Sequence, residues 1–165
     1  WKSLGVLMLV LGIIEIVGAA AGGDYWLKPL DGIRATVSGQ AIEHEEAFSP
    51  IKSLGDLDSA LASTGQNGTM LDFYADWCVE CKRMERNTFP VPAVARLMGE
   101  LQLLQADVTA NDDTDQALMK KFGIIGPPAI LFFDRQGQEM KQDRLVGFFE
   151  PEEFAGHLEK VRAAR

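Results

Sequence analysis

The chain has 165 residues, of which 47% are apolar and 24% are charged, and its formal net charge is −8. This length suits one ordinary domain plus an appendage, and the composition is that of a folded protein without low-complexity tracts or internal repeats. The negative charge argues against nucleic-acid binding, because a surface that binds phosphates needs clustered lysine and arginine side chains.

The first predicted element is an apolar segment at residues 4–23, whose one charged residue is Glu15. About twenty helical residues extend roughly 30 Å, which is enough to cross a bilayer, so residues 1–23 are predicted to be a transmembrane helix. The alternatives are a secretory signal peptide, which Glu15 and the initial Trp1 disfavour, and a buried helix. The membrane helix and the signal peptide both place the residues after 23 outside the cytoplasm.

Residues 24–50 are predicted to be a linker, because their polarity is mixed and no helical or strand period is sustained. The cluster Glu43-His44-Glu45-Glu46 is interpreted as solvated linker. A single histidine among flexible carboxylates makes a weak metal site, so no metal is expected here.

Residues 51–165 show the periodic patterns of one α/β domain. Helices are predicted to begin near Ser53, Cys78, Val94, Asp112 (or Asn111) and Pro151. Strands are predicted at residues 70–75, 101–108 and 129–134, with a more polar strand ending near residue 146. The order β-α-β-α-β-β-α after a leading helix predicts a central mixed sheet covered by helices on both faces.

Cys78 and Cys81 are the only cysteines of the chain and lie three positions apart, between a predicted buried strand and a predicted helix. At the N-terminus of a helix, free backbone N–H groups and the helix dipole favour a thiolate, which is the attacking species in disulfide exchange. We therefore predict a redox-active pair in which Cys78 attacks first and Cys81, one helical turn later, resolves the mixed disulfide.

Two carboxylates are predicted to tune this pair. Asp72 precedes Cys78 by six residues on the strand beneath the site, and Glu85 follows it by seven on the helix. A carboxylate buried near the sulfurs is poorly screened and disfavours the Cys78 thiolate. The dithiol form is then less stable, and the couple is expected to be reducing.

Two other interpretations of the cysteines remain open. A structural disulfide is possible outside the cytoplasm, but so short a loop stabilises a fold little. A zinc site would require two more ligands, and the chain offers only His44 in the linker and His157 on the last helix.

Beyond the cysteine pair, several longer runs of the sequence are distinctive. They are Phe48-Ser49-Pro50-Ile51-Lys52, Asp72-Phe73-Tyr74-Ala75-Asp76-Trp77-Cys78-Val79-Glu80-Cys81-Lys82, Gln105-Ala106-Asp107-Val108-Thr109-Ala110-Asn111-Asp112, Gly123-Ile124-Ile125-Gly126-Pro127-Pro128-Ala129 and Ile130-Leu131-Phe132-Phe133-Asp134. These runs resemble the thioredoxin superfamily and, more closely and over roughly residues 48–160, the C-terminal periplasmic domain of the DsbD family of thiol:disulfide interchange proteins. Val79 and Glu80 stand where general thioredoxins have Gly-Pro, and Pro127 stands where many have an aliphatic residue.

The resemblance implies a thioredoxin fold in which Pro128 is a cis-proline facing the disulfide and in which Asp72 and Glu85 modulate the attacking cysteine. From its position beside Cys78, Trp77 is predicted to shield the site and to form part of a partner-docking surface, with a core aromatic as the alternative. The resemblance also implies an electron relay at the bacterial inner membrane. Electrons pass from a membrane-embedded cysteine pair to this domain, then to an N-terminal periplasmic domain that supports disulfide isomerisation and cytochrome c maturation. The only redox group implied is the disulfide itself, with no other cofactor.

Two rival functions remain at this stage. One is a stand-alone secreted thioredoxin-like reductase, which membrane-spanning sequence upstream would exclude. The other is a binding or chaperone module with an inert disulfide, which redox titration would distinguish.

Overall fold

The computed structural model describes residues 4–6, 8, 48–63 and 67–164. The chain divides into two compact units, Trp1–Ile42 and Glu43–Arg165. In the first unit, residues 4–6 and 8 are helical, and the rest of the predicted membrane helix lies outside the described residues. Among the residues that are described, no helix is long and apolar enough to cross a membrane.

The described residues of the second unit form five strands and five α-helices. In chain order they are β1 (Ser49–Ile51), α1 (Leu54–Ala62), β2 (Thr69–Tyr74), α2 (Val79–Asn87), α3 (Pro92–Met98), β3 (Gln102–Asp107), α4 (Asp113–Phe122), β4 (Ala129–Phe133), β5 (Leu145–Val146) and α5 (Pro151–Ala164). A short 3-10 helix, Lys141–Asp143, precedes β5.

The strands form one mixed sheet in the order β1-β3-β2-β4-β5. β1 and β2 both run parallel to β3, whereas β4 runs antiparallel to β2 and to β5. The central strands β2 and β4 are almost wholly buried, as expected when helices cover both faces of a sheet. The predicted mixed sheet flanked by helices is therefore confirmed.

Two hydrophobic clusters lie on the two faces of the sheet, because successive residues of a strand point to opposite sides. Leu71 and Phe73 of β2 belong to the cluster that also contains residues of α1 and α4 and the two cysteines. Met70 belongs to the cluster built with α2, α3 and α5. By the same alternation, Asp72 points to the α2 side of the sheet.

The structure differs from the sequence prediction at both edges of the sheet. β1 begins in the segment that was predicted to be a linker. It is only three residues long and contains Pro50, which fits an edge strand because proline has no N–H group to donate. The predicted polar strand before residue 146 is reduced to β5, an isolated bridge between Phe133 and Glu139, and the 3-10 helix. The strands at both edges of the sheet are thus too short for alternating apolar and polar residues to reveal them in the sequence.

Candidate active site

Cys78 and Cys81 form a disulfide where β2 passes into α2. The N–H of Cys78 donates to the carbonyl oxygen of Ala75 at 2.9 Å, which closes the turn after the strand. Cys78 is the N-cap of α2, and its Sγ accepts the N–H of Cys81 at 3.1 Å. The predicted position of the pair at a helix N-terminus is confirmed, so the helix dipole favours a thiolate on Cys78 when the bond is reduced.

Both cysteines are buried, Cys78 with 5% and Cys81 with 3% of its surface exposed. Burial therefore does not distinguish the attacking sulfur from the resolving one. The distinction rests on position, because the N-cap residue lies nearest the free N–H groups of the first helical turn.

Asp72 lies in β2 with only 4% of its surface exposed. Burial disfavours the charged carboxylate and raises its pKa to about 7, and the charge of Glu85 acts in the same direction. The side chain of Gln105 opposes this rise by donating from Nε2 to Asp72 Oδ2 at 3.2 Å. Asp72 is therefore a buried acid that changes its charge near neutral pH.

Glu85 lies on α2, at a cavity of about 520 Å³ between this helix and the ends of β2 and β3. The lining residues are Phe48, Tyr74, Asp76, Lys82, Glu85, Arg86, Gln105 and Asp107. Gln105 both lines this cavity and bonds Asp72, so the cavity reaches the immediate partner of the buried acid. The structure thus brings Asp72 and Glu85 into one electrostatic environment.

Trp77 is 59% exposed, so it is not a core aromatic residue. Its Nε1 donates to the carbonyl oxygen of Thr109 at 3.2 Å, which holds one end of the indole. Val79, which directly follows Cys78, is also exposed, as is Ile125 in the loop before the cis peptide bond.

The peptide bond between Pro127 and Pro128 is cis, the conformation that the family resemblance implies for Pro128. The carbonyl oxygen of Pro128 accepts the N–H of Gly147 at 3.1 Å. Gly147 has φ of 95°, a value that favours glycine, and it begins the segment leading to α5.

Two features of the site were not predicted. One is the bond between Gln105 and Asp72, which lie opposite each other on β3 and β2 but 33 residues apart in sequence. The other is the contact of Arg83 on α2 with the ring of Phe148, whose centroid lies 3.7 Å from the guanidinium carbon. Neither leaves a local sequence signal, since each depends on how distant segments pack.

The histidines considered as zinc ligands do not meet the cysteines within the described residues. Nε2 of His157 lies 2.8 Å from the carbonyl oxygen of Asp143, a hydrogen bond that occupies this nitrogen. His44 lies outside the described residues. No group of three histidine, cysteine, aspartate or glutamate residues in the described part of the chain is arranged to hold a metal ion.

Comparison with known proteins finds similarity to thioredoxin-like domains and to thiol:disulfide interchange proteins. Residues 56–162 match the model of a thioredoxin-like domain. The chain is 43% identical over 163 residues to the thiol:disulfide interchange protein DsbD of Ralstonia nicotianae, and 47% identical over 175 aligned residues to that of Escherichia coli K12. These matches cover 97% and 96% of the chain, but only 27% and 30% of the two relatives.

A solved structure of similar fold is the reduced C-terminal domain of DsbD from Neisseria meningitidis. It is 36% identical to this chain with a TM-score of 0.56, and the match covers 64% of this chain and 90% of that domain. The resemblance therefore extends over nearly the whole of the solved domain and confirms the thioredoxin fold.

Proposed function

Because the chain belongs to the DsbD family and contains its C-terminal thioredoxin-like domain, we propose that it is a protein-disulfide reductase that acts through Cys78 and Cys81. The observation that carries this proposal is the disulfide at the N-terminus of α2, where backbone N–H groups favour the reactive thiolate. The cysteine pair is the redox group, and the proposal requires no other cofactor.

In the reduced domain, the Cys78 thiolate attacks one sulfur of a partner disulfide. A mixed disulfide forms, and the other partner sulfur leaves as a thiolate. The thiol of Cys81 then loses its proton and attacks Cys78 Sγ, which closes the Cys78–Cys81 bond and releases the second partner sulfur. Two electrons pass to the partner, and two protons follow as its thiolates are protonated.

Asp72 and Glu85 are proposed to modulate this reaction. Asp72, with a pKa of about 7, exists in both charge states near neutral pH. Its carboxylate form can accept the proton of the resolving thiol, and its negative charge disfavours a lasting Cys78 thiolate. Glu85 adds to this effect, because its charge already raises the pKa of Asp72.

Trp77 and Pro128 are proposed to contact the partner protein. The support for Trp77 is its exposed indole next to the attacking cysteine. Pro128 lies in a loop whose neighbour Ile125 is fully exposed, so this loop offers an apolar surface. Apolar contact with a partner would bury these side chains and supply affinity without any charge.

The proposed partners are the membrane-embedded cysteine pair that reduces this domain and the N-terminal periplasmic domain that it reduces. Residues 1–23 are proposed to tether the domain to the bacterial inner membrane, with the residues after about 23 in the periplasm. Two observations support this proposal: the apolar run at residues 4–23, and the alignments with DsbD, which cover 96–97% of the chain.

A trapping experiment with cysteine variants tests this function. The Cys81→Ala variant lacks the resolving thiol, so it is expected to accumulate a mixed disulfide with the N-terminal domain of E. coli DsbD, seen as a combined mass on non-reducing gels. The matched Cys78→Ala variant is expected to form none, and the wild-type chain should release its partner. Capture by Cys78→Ala, or no capture by Cys81→Ala, would contradict the assigned roles.

A further inference from the structure

We propose that Thr109 is a positioning residue for partner recognition: it anchors the loop before Cys78 and holds the exposed indole of Trp77 in the orientation that a partner protein contacts. This inference rests on the proposed exchange function and adds a specificity determinant to it. The partner feature is an apolar surface next to the partner's disulfide, since an indole offers a large apolar face.

Thr109, in the turn after β3, forms hydrogen bonds with two consecutive residues of the loop that joins β2 to α2. Its hydroxyl oxygen accepts the N–H of Asp76 at 2.8 Å, and its carbonyl oxygen accepts the Nε1–H of Trp77 at 3.2 Å. The first bond fixes the backbone just before Trp77, and the second fixes one end of the indole. Thr109 therefore determines both where this side chain starts and where its ring points.

The loop is also held on both sides of Trp77 by bonds within the same segment. The hydroxyl of Tyr74, at the end of β2, donates to Asp76 Oδ1 at 3.0 Å. After the tryptophan, the N–H of Cys78 donates to the carbonyl oxygen of Ala75 at 2.9 Å. With the backbone fixed in this way, the remaining freedom of Trp77 is rotation of its side chain, which the Nε1 bond restricts.

Thr109 is itself held by Asp107. Its N–H donates to Asp107 Oδ1 at 2.8 Å, and its hydroxyl donates to the same oxygen. A threonine hydroxyl has one proton, so donation to Asp107 leaves its lone pairs for the N–H of Asp76. The carbonyl oxygen of Asp107 accepts from Lys52 Nζ at 3.2 Å, and Lys52 forms an ion pair with the buried Asp115 of α4. The turn is thereby anchored to the body of the domain.

The exposure of Trp77 indicates a role in binding rather than in stability. The indole is 59% exposed although Thr109 fixes it. Hydrogen bonds at exposed positions add little to stability, because water can replace either partner. An aromatic side chain that is fixed before binding loses less conformational entropy when a partner covers it, which raises the affinity. A small disulfide buries no such surface, so the effect is confined to protein partners.

Stopped-flow exchange by the reduced 165-residue chain tests the proposal. The two oxidants are the disulfide form of the N-terminal domain of E. coli DsbD and the small disulfide 5,5′-dithiobis(2-nitrobenzoic acid). Thr109→Val keeps the shape of the side chain and removes the hydroxyl, and is expected to raise the half-saturating concentration of the protein partner by roughly threefold to tenfold. The limiting rate and the rate with the small disulfide should stay at the wild-type values, because the hydroxyl takes no part in the exchange itself.

Two further threonine variants separate the hydroxyl from the rest of the side chain. Thr109→Ser keeps the hydroxyl and should restore the wild-type half-saturating concentration. Thr114→Val is the matched control, because this exposed threonine of α4 has a hydroxyl without a hydrogen bond among the described residues, and it should change neither oxidant's kinetics.

A variant of the indole tests whether Thr109 acts through Trp77. Trp77→Phe keeps an aromatic ring but removes the Nε1–H that Thr109 holds, so it should also raise the half-saturating concentration of the protein partner. Because Thr109 acts through Trp77, the double variant with Thr109→Val should be no worse than Trp77→Phe alone.

Four results would overturn the inference: unchanged kinetics of Thr109→Val with the protein partner, an equal loss with both oxidants, no rescue by Thr109→Ser, or additive losses in the double variant. A wild-type chain that reacts with the small disulfide and not with the partner domain would overturn the proposed partner together with the inference. Failure of the wild-type chain with both oxidants would instead contradict the proposed function itself.

Discussion

At the residue scale, the burial of Asp72 makes the stability of the domain depend on pH. Its carboxyl group is buried in the central strand β2, where Oδ2 accepts a hydrogen bond from the uncharged amide of Gln105. Ionising it there costs free energy, because the amide replaces only part of the water that a carboxylate loses on burial. The same cost raises the pKa of Asp72 to about 7, so its protonation occurs near neutral pH.

The raised pKa of Asp72 predicts that the oxidised domain is less stable at high pH. The folded-state pKa of about 7 lies above the ordinary value of 3.8 for an aspartic acid, so the folded state holds this proton more tightly than the unfolded state. The contribution of Asp72 to stability is then greatest below about pH 4, falls as pH rises towards 7 and levels off above it. The loss from this one group is on the order of 4 kcal/mol.

Urea unfolding of the oxidised wild-type chain and of Asp72→Asn at pH 5 and pH 8 measures this effect. The wild-type free energy of unfolding should fall more between the two pH values than that of the variant. Glu80→Gln, which removes a half-exposed carboxylate from α2, is the matched control and should behave as wild type. The same pH dependence in Asp72→Asn and wild type would contradict the assignment.

The sequence singled out Asp72 and Glu85 by their spacing from the cysteines along one strand and one helix, and the structure couples these two carboxylates to each other. The partner of Asp72 was not predictable in this way. Gln105 reaches it only because β2 and β3 pair in parallel with these two residues in register. The sequence of one strand alone does not identify the residue opposite Asp72, because register depends on both strands and on how they pack.

At the element scale, capping residues begin the helices as their sequences predict. Ser53 and Asp56 form a capping box at α1, and Asp112 and Asp115 form one at α4. Asp115 is fully buried and bonds Lys52, which follows β1. The ion pair between Lys52 and Asp115 therefore connects the end of the edge strand β1 to α4.

Loss of the α4 cap should destabilise the domain measurably. Asp112 accepts the N–H groups of Thr114 and Asp115, each at 2.9 Å. Asp112→Ala is expected to lower the free energy of unfolding by about 1 kcal/mol, measured by urea denaturation. Asp113→Ala is the matched control, because this exposed residue lies inside the first turn and caps no N–H group, so its effect should be clearly smaller. Equal effects would show that the cap is not the source of the loss.

At the scale of the whole molecule, every residue assigned to the reaction lies in the compact unit Glu43–Arg165. The mixed sheet was predictable because buried strands and capped helices alternate along the sequence. The strand order and the short edge strands were not, since they arise from contacts between distant segments. The helix start at Cys78 was predictable, which is why the cysteine pair was correctly placed.

Removal of residues 1–42 is expected to abolish membrane attachment and to leave the redox chemistry of the second unit unchanged. A chain beginning at Glu43 should keep the reduction potential of the full chain, because the site makes its described contacts within this unit. It should lose membrane attachment, measured by carbonate extraction from cells. A shortened chain that stays in the membrane fraction, or whose potential changes, would contradict this division of roles.

The most direct test of the central claim is the reduction potential of the Cys78–Cys81 disulfide at pH 7, measured by equilibration with glutathione or dithiothreitol buffers. Since buried negative charge disfavours the thiolate, we expect a reducing couple, below about −200 mV, that becomes less negative in Asp72→Asn. A potential between about −180 and −120 mV, or no change in that variant, would contradict the account.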